Sequence, residues 1–123
     1  MNVRRGTITF EVGGVPYSAR LSTNAMARYE DATGQTVLDA FSEIEKSAKS
    51  KTMPKATLLR DLMWVTIEGE LTREAVGDIM DDLGYSEVYR ILTEVAQSAF
   101  PQAEKATPEG NARAGKAPRQ KKV

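Results

Sequence analysis

Neither cysteine nor histidine occurs among the 123 residues. No disulfide and no zinc cluster can therefore staple the fold, so whatever this chain builds must rest on a hydrophobic core. Apolar residues make up 41% of the sequence, enough for one small domain. The same absence narrows the chemistry. Histidine is the only side chain whose ordinary charge changes near neutral pH, and histidine and cysteine are the usual ligands of borderline metals. A Ser-His-Asp triad, a Cys-His pair and a zinc site are all excluded. The chain is expected to bind rather than catalyse, with no cofactor and no metal.

Hydrophobic periodicity then divides the chain. Residues 7–12 alternate, with Ile8, Phe10 and Val12 on one face, and residues 17–21 alternate with Tyr17, Ala19 and Leu21 on one face. Gly13-Gly14 lies between them, so the pattern predicts a β-hairpin over 7–21. Two strands are marginal alone, so the apolar face must cover helices or pair with another chain.

From Ser22 the period becomes helical. Ser22-Thr23-Asn24 supplies N-cap chemistry for a helix at about 23–33, in which Ala25, Met26, Tyr29 and Ala32 recur and which Gly34 ends. Val37, Leu38, Phe41 and Ile44 mark a second helix at 35–48. A polar, basic linker follows at 47–55, and Pro54 is suited to the first turn of a third helix at 55–68, which Gly69 would stop. That helix carries Leu58, Leu59, Leu62, Met63, Trp64, Val65 and Ile67 on more than one side, so it is the candidate central helix. Thr72 followed by Glu74 opens a helix at 73–83, and Ser86-Glu87 opens a last one at 86–100. The predicted fold class is α+β, mainly α: a hairpin, four or five helices in one domain over 1–100, and a disordered basic tail over 101–123.

The formal net charge is zero, yet its distribution is uneven. Residues 101–123 hold six basic side chains against Glu104 and Glu109, a net of +4, while residues 1–100 carry eleven basic and fifteen acidic side chains, a net of −4. Lys116, Arg119, Lys121 and Lys122 are the candidate contacts of the tail with a polyanion or a partner. Such a tail attracts nucleic acid only weakly and salt-sensitively, and it has no aromatic residues for base stacking. An acidic body without a basic recognition helix argues further against a nucleic-acid role. No apolar run reaches the length of a membrane span, and Met-Asn-Val-Arg-Arg-Gly lacks the apolar stretch of a signal peptide, so a cytoplasmic location is expected.

Two motifs that suggest chemistry have plainer readings. Asp78, Asp81 and Asp82 are placed as a solvated face opposite Val76, Ile79, Met80 and Leu83. Gly13-Gly14 lacks the Gly-Lys-Ser/Thr ending of a phosphate loop. Candidate partner-binding residues are Met63, Trp64, Ile67, Met80, Tyr85 and Tyr89, because tryptophan and tyrosine anchor interfaces and methionine adds adaptable apolar surface. Periodicity leaves open which of them are core and which are interface.

Three segments together resemble one family: Gly6-Thr-Ile-Thr-Phe-Glu-Val-Gly-Gly14, Leu21-Ser-Thr-Asn-Ala-Met-Ala-Arg-Tyr-Glu30, and Leu59-Arg-Asp-Leu-Met-Trp64 continued by Leu71-Thr-Arg-Glu-Ala-Val-Gly-Asp78. Their order is similar to that of the small tail assembly chaperones of long-tailed bacteriophages and of gene transfer agents, over about residues 6–83. The resemblance implies a non-enzymatic protein of the bacterial host cytoplasm. It would bind the tape measure protein, the tail tube protein or both during virion assembly, and be absent from the mature particle. It carries over no catalytic residues and does not extend to the 47–55 linker or the basic tail. The hairpin edge adds a route to a homo-oligomer or to a tube subunit by strand addition. Two other functions fit the sequence: a structural tail or connector component of the particle, and a small nucleic-acid-associated protein acting through its tail.

Overall fold

The computed structural model of the protein describes residues 6–100. The basic tail and its candidate contacts Lys116, Arg119, Lys121 and Lys122 lie outside the described residues. Two strands and five helices follow in order: β1 (Ile8–Val12), β2 (Val15–Ala19), α1 (Thr23–Thr33), α2 (Val37–Ser50), α3 (Ala56–Thr66), α4 (Arg73–Leu83) and α5 (Tyr85–Ala99). The fold is thus the hairpin-plus-helices arrangement that the two periodicities predict.

β1 and β2 pair antiparallel, with Val12 opposite Val15, Phe10 opposite Tyr17 and Ile8 opposite Ala19. Only two residues connect them. Gly13 and Gly14 have φ of 57° and 79°, so both take the left-handed region that a tight primed turn demands. Phe10 and Tyr17, opposite each other in register, stack with ring centroids 5.6 Å apart. β1 packs across α4 and α5, which supplies the cover that two strands cannot provide for themselves.

α3 is the centre of the molecule and contacts α1, α2, α4 and α5. Leu59, Leu62 and Met63 are fully buried there, against Tyr29 of α1, Val76 of α4, and Val88, Ile91 and Val95 of α5. The many-sided apolar pattern of 58–67 has this cause: a helix surrounded on most sides has no polar face to spare.

Caps explain the helix limits. The Ser22 side chain accepts from Ala25 N and that of Thr72 from Ala75 N, so α1 and α4 start where expected. Gly34 closes α1 in the left-handed region. Other limits differ from the sequence reading. Thr36 caps α2, which therefore begins at Val37 rather than 35 and runs on to Ser50, taking in the first part of the expected linker. Lys51 closes it at φ 59° without a glycine. Pro54 precedes the N-cap residue Lys55 and is not in the first turn of α3. That helix ends at Thr66, before Gly69, because Ile67 is drawn into a β-bridge with Ala19. Arg20 N donates to Thr66 O and Glu68 N to Ser18 O, both at 2.8 Å, so residues 66–68 form a short third rung beside β2. α5 begins at Tyr85, one residue earlier than Ser86, because Gly84 ends α4 and precedes α5 directly.

Candidate partner-binding site

Each expected contact residue has a definite place. Met63, Ile67 and Met80 are 0%, 2% and 3% exposed. They are core side chains and present almost no surface to a partner, which corrects their reading as contacts. Met63 and Met80 lie on the inward sides of α3 and α4, and Ile67 is buried where it bridges Ala19. Trp64 and Tyr89 are half-buried and pack against the core, and Tyr85 is exposed. Met80 and Tyr85 both line an open groove of about 280 Å³ between α3 and α4. Arg60, Glu74, Asp78 and Asp81 rim it. Among the described residues the other exposed large apolar side chains are Val15, Leu38 and Met53. Leu38, one of the apolar residues that mark α2 in the sequence, is exposed to solvent beside buried Val37 and lies off the core face.

Trp64 organises the most specific polar cluster. Its indole N–H donates to Leu71 O at 2.9 Å. The Arg28 Cζ of α1 lies 4.6 Å from the ring centroid and the Arg73 Cζ of α4 lies 4.5 Å from it. Cation–π attraction is strongest for tryptophan, and this ring holds two guanidinium groups from two helices. Arg73 Nε also lies 3.2 Å from Asp61 Oδ1, an ion pair whose direction is too poor for a hydrogen bond. Arg60 Nε is 3.4 Å from the same oxygen. Asp61 is one of the two buried polar or charged residues among those described, and it sits on the central helix. Its one sign in the sequence is that it is the lone acid inside the apolar run 58–67.

Beside this cluster lies an open polar cavity of about 330 Å³, lined by Tyr29, Gln35, Glu43, Lys55, Asp61 and Arg73 among others. The Tyr29 hydroxyl donates to Gln35 Oε1 at 3.0 Å, and Gln35 Nε2 donates to Glu43 Oε2 at 2.6 Å. Burial pushes the Tyr29 hydroxyl above the ordinary tyrosine range, and the Asp61 and Glu43 carboxylates push it the same way. It therefore serves as a neutral donor near pH 7, not as a base.

The acids of α4 are outward-facing: Asp78, Asp81 and Asp82 are all exposed. Among the described residues no group of three acidic, histidine or cysteine side chains is placed to hold a metal ion, and no helix is long and apolar enough to cross a membrane. The arrangement offers contact surfaces: an α3–α4 groove with an aromatic lip, a tryptophan clamped by two arginines, and scattered apolar side chains. Compared with known protein families, with characterised proteins and with solved structures, the chain gives no match.

Proposed function

We propose that this protein is a tail assembly chaperone of a long-tailed phage or a gene transfer agent. It acts in the cytoplasm of the bacterial host, engages the tape measure protein or the tail tube protein during assembly, and leaves before the particle is mature. The observation that carries the reading is the ordered set of three segments at 6–14, 21–30 and 59–78. They supply β1 with its turn, most of α1, most of α3 and the first half of α4; α1 and α4 both contact α3, and β1 contacts α4.

The surface supports the same reading. A chaperone for a long amphipathic helix needs a groove that can take an apolar face, and the open α3–α4 groove with Met80 and Tyr85 in its lining is a candidate for that contact. The described body is also acidic, which favours solubility. Many copies along one client would turn weak contacts into avidity.

Co-expression with a tape measure protein, followed by size exclusion with light scattering, tests the reading. The expected result is soluble co-elution of a client that is insoluble alone. A client that stays insoluble while this protein elutes by itself sinks the chaperone reading for the tape measure. The same experiment with the tail tube protein then decides whether any of the proposal survives. Recovery of this chain from purified mature particles would instead make it a structural component.

A further inference from the structure

The hairpin has two margins, and only one is closed. On β2, the Ser18 carbonyl and the Arg20 N–H bond to the 66–68 rung, so residues of this parity turn their backbone groups away from β1. Pro16 has the same parity, and its missing N–H removes a donor from that margin. The residues opposite them on β1 are Thr9, paired with Ser18, and Glu11, paired with Pro16. Thr9 and Glu11 must therefore direct their own N–H and C=O groups outward, away from β2. Among the described residues no backbone group outside the hairpin bonds to either, and β1 has no neighbour but β2. Protected sheets blunt such edges with proline, lysine or a covering element. β2 has both a proline and a cover; β1 has neither.

A trough of about 500 Å³ runs along this open margin. Thr9, Glu11 and Val12 form one wall, and Asp82, Leu83, Glu87 and Arg90 form the other. A strand added to β1 lies in it and turns every second side chain toward the helices, over Leu83 and beside Asp82. The charge of the trough selects the occupant. The Arg90 guanidinium is already engaged, by Glu87 at 2.8 Å and by Glu94 at 2.9 Å, so Glu11 and Asp82 are left as surplus negative charge. Asp81 and Asp82 also stand in the last turn of α4, which has no basic residue. The helix dipole disfavours acids at that end, and a cation nearby offsets both effects. A second copy is a poor occupant, because edge-to-edge pairing would bring like-charged trough walls together.

We infer that the outer edge of β1 is a docking site for an extended basic segment of a partner protein, which adds as a strand and places lysine or arginine side chains beside Asp82. The assignment stands on the open edge and its charge, independently of the tail-assembly reading.

The test uses the full chain and a short fluorescein-labelled peptide alternating lysine with valine. Anisotropy should show micromolar binding at low salt, and an otherwise equal peptide with glutamate for lysine should not bind. Blocking one edge-facing peptide N–H by N-methylation should weaken binding about fivefold. Thr9→Pro keeps every bond between β1 and β2 yet removes an outward donor, and should weaken binding by a similar factor. Asp82→Asn, at an exposed position that cannot threaten folding, should weaken it and flatten its salt dependence. Amide hydrogen exchange at Thr9 and Glu11 should slow when peptide saturates the protein. Absence of binding, equal binding of the acidic peptide, or unchanged exchange at Thr9 and Glu11 on saturation each overturns the proposal. So does protection of those two amides in the free protein, which would mean that a second copy or another part of the chain already holds the edge.

Discussion

Arg73 lays its guanidinium over the indole of Trp64, with Cζ 4.5 Å from the ring centroid. The first residue of α4 is thereby fastened to the last turn of α3, across the loop that contains Leu71. Arg73→Ala is expected to cost about 1–2 kcal/mol, since it removes a cation–π contact and one partner of Asp61 together. Arg73→Lys should recover only part, because lysine lacks the planar face that stacks on the ring. A double-mutant cycle with Trp64→Phe, read by urea denaturation, should give a coupling of about 0.5–1 kcal/mol. Additive single mutants would show the stack to be energetically idle.

Leu62 has no solvent exposure and stands at the middle of the central helix. Leu62→Ala should destabilise by about 2–5 kcal/mol, through lost burial and the cavity left behind. Leu38→Ala, one helix away and facing solvent, should change stability by less than about 0.5 kcal/mol. Thermal melting of the two variants side by side checks the contrast.

Gly14 holds φ of 79° in a place where an added Cβ would meet no atom within 4 Å. Any penalty at this position is therefore backbone strain and not a clash. Gly14→Ala should cost about 1–2 kcal/mol. Gly13→Asn should be close to neutral, because asparagine tolerates the left-handed region in a tight hairpin turn. Chemical denaturation separates these outcomes; equal losses at both positions would contradict the turn geometry.

Tyr29 gives the stability a dependence on alkaline pH. Its folded-state pKa is raised above 10.0, first by burial and then by Asp61 and Glu43. The folded protein therefore holds this proton more tightly than the unfolded chain. Its contribution is fully present below pH about 10 and is lost as pH rises through the raised value. Tyr29→Phe should lower stability at neutral pH by losing the bond to Gln35, yet show a shallower decline above pH about 10. Urea midpoints collected across that range measure the difference in slope.

The limits of α1 and α4 were legible because local chemistry sets them: the hydroxyls of Ser22 and Thr72 each meet an amide three residues on. The end of α3 was not legible locally. Ile67 continues the apolar run in sequence but leaves the helix to bridge Ala19, a contact no window of neighbouring residues contains. Lys51 closing α2 was hidden for a different reason, since a lysine in the left-handed region gives no compositional sign. At the candidate site, the apolar pattern could name Met63, Trp64, Ile67 and Met80 but could not rank their exposure. A surrounded helix looks alike on all sides until its neighbours are placed. The clamp on Trp64 was invisible as well, because Arg28 and Arg73 reach it from helices on either side of α3 in the chain. Asp61 was the exception that could have been noticed, the single acid within the apolar run 58–67.

The bridge between Ala19 and Ile67 also ties distant parts of the chain together. Helical turns form from neighbours, and α3 can meet α4 across a short loop, so those contacts close small rings of chain. Joining residue 19 to residue 67 closes a larger ring, at an entropic cost that grows only slowly with its length. Both side chains are buried, so the contact is sealed within the core. Without the rung at 66–68 the second margin of the hairpin would be uncovered, so the hydrogen bonds of Arg20 and Glu68 leave the sheet with one open edge rather than two.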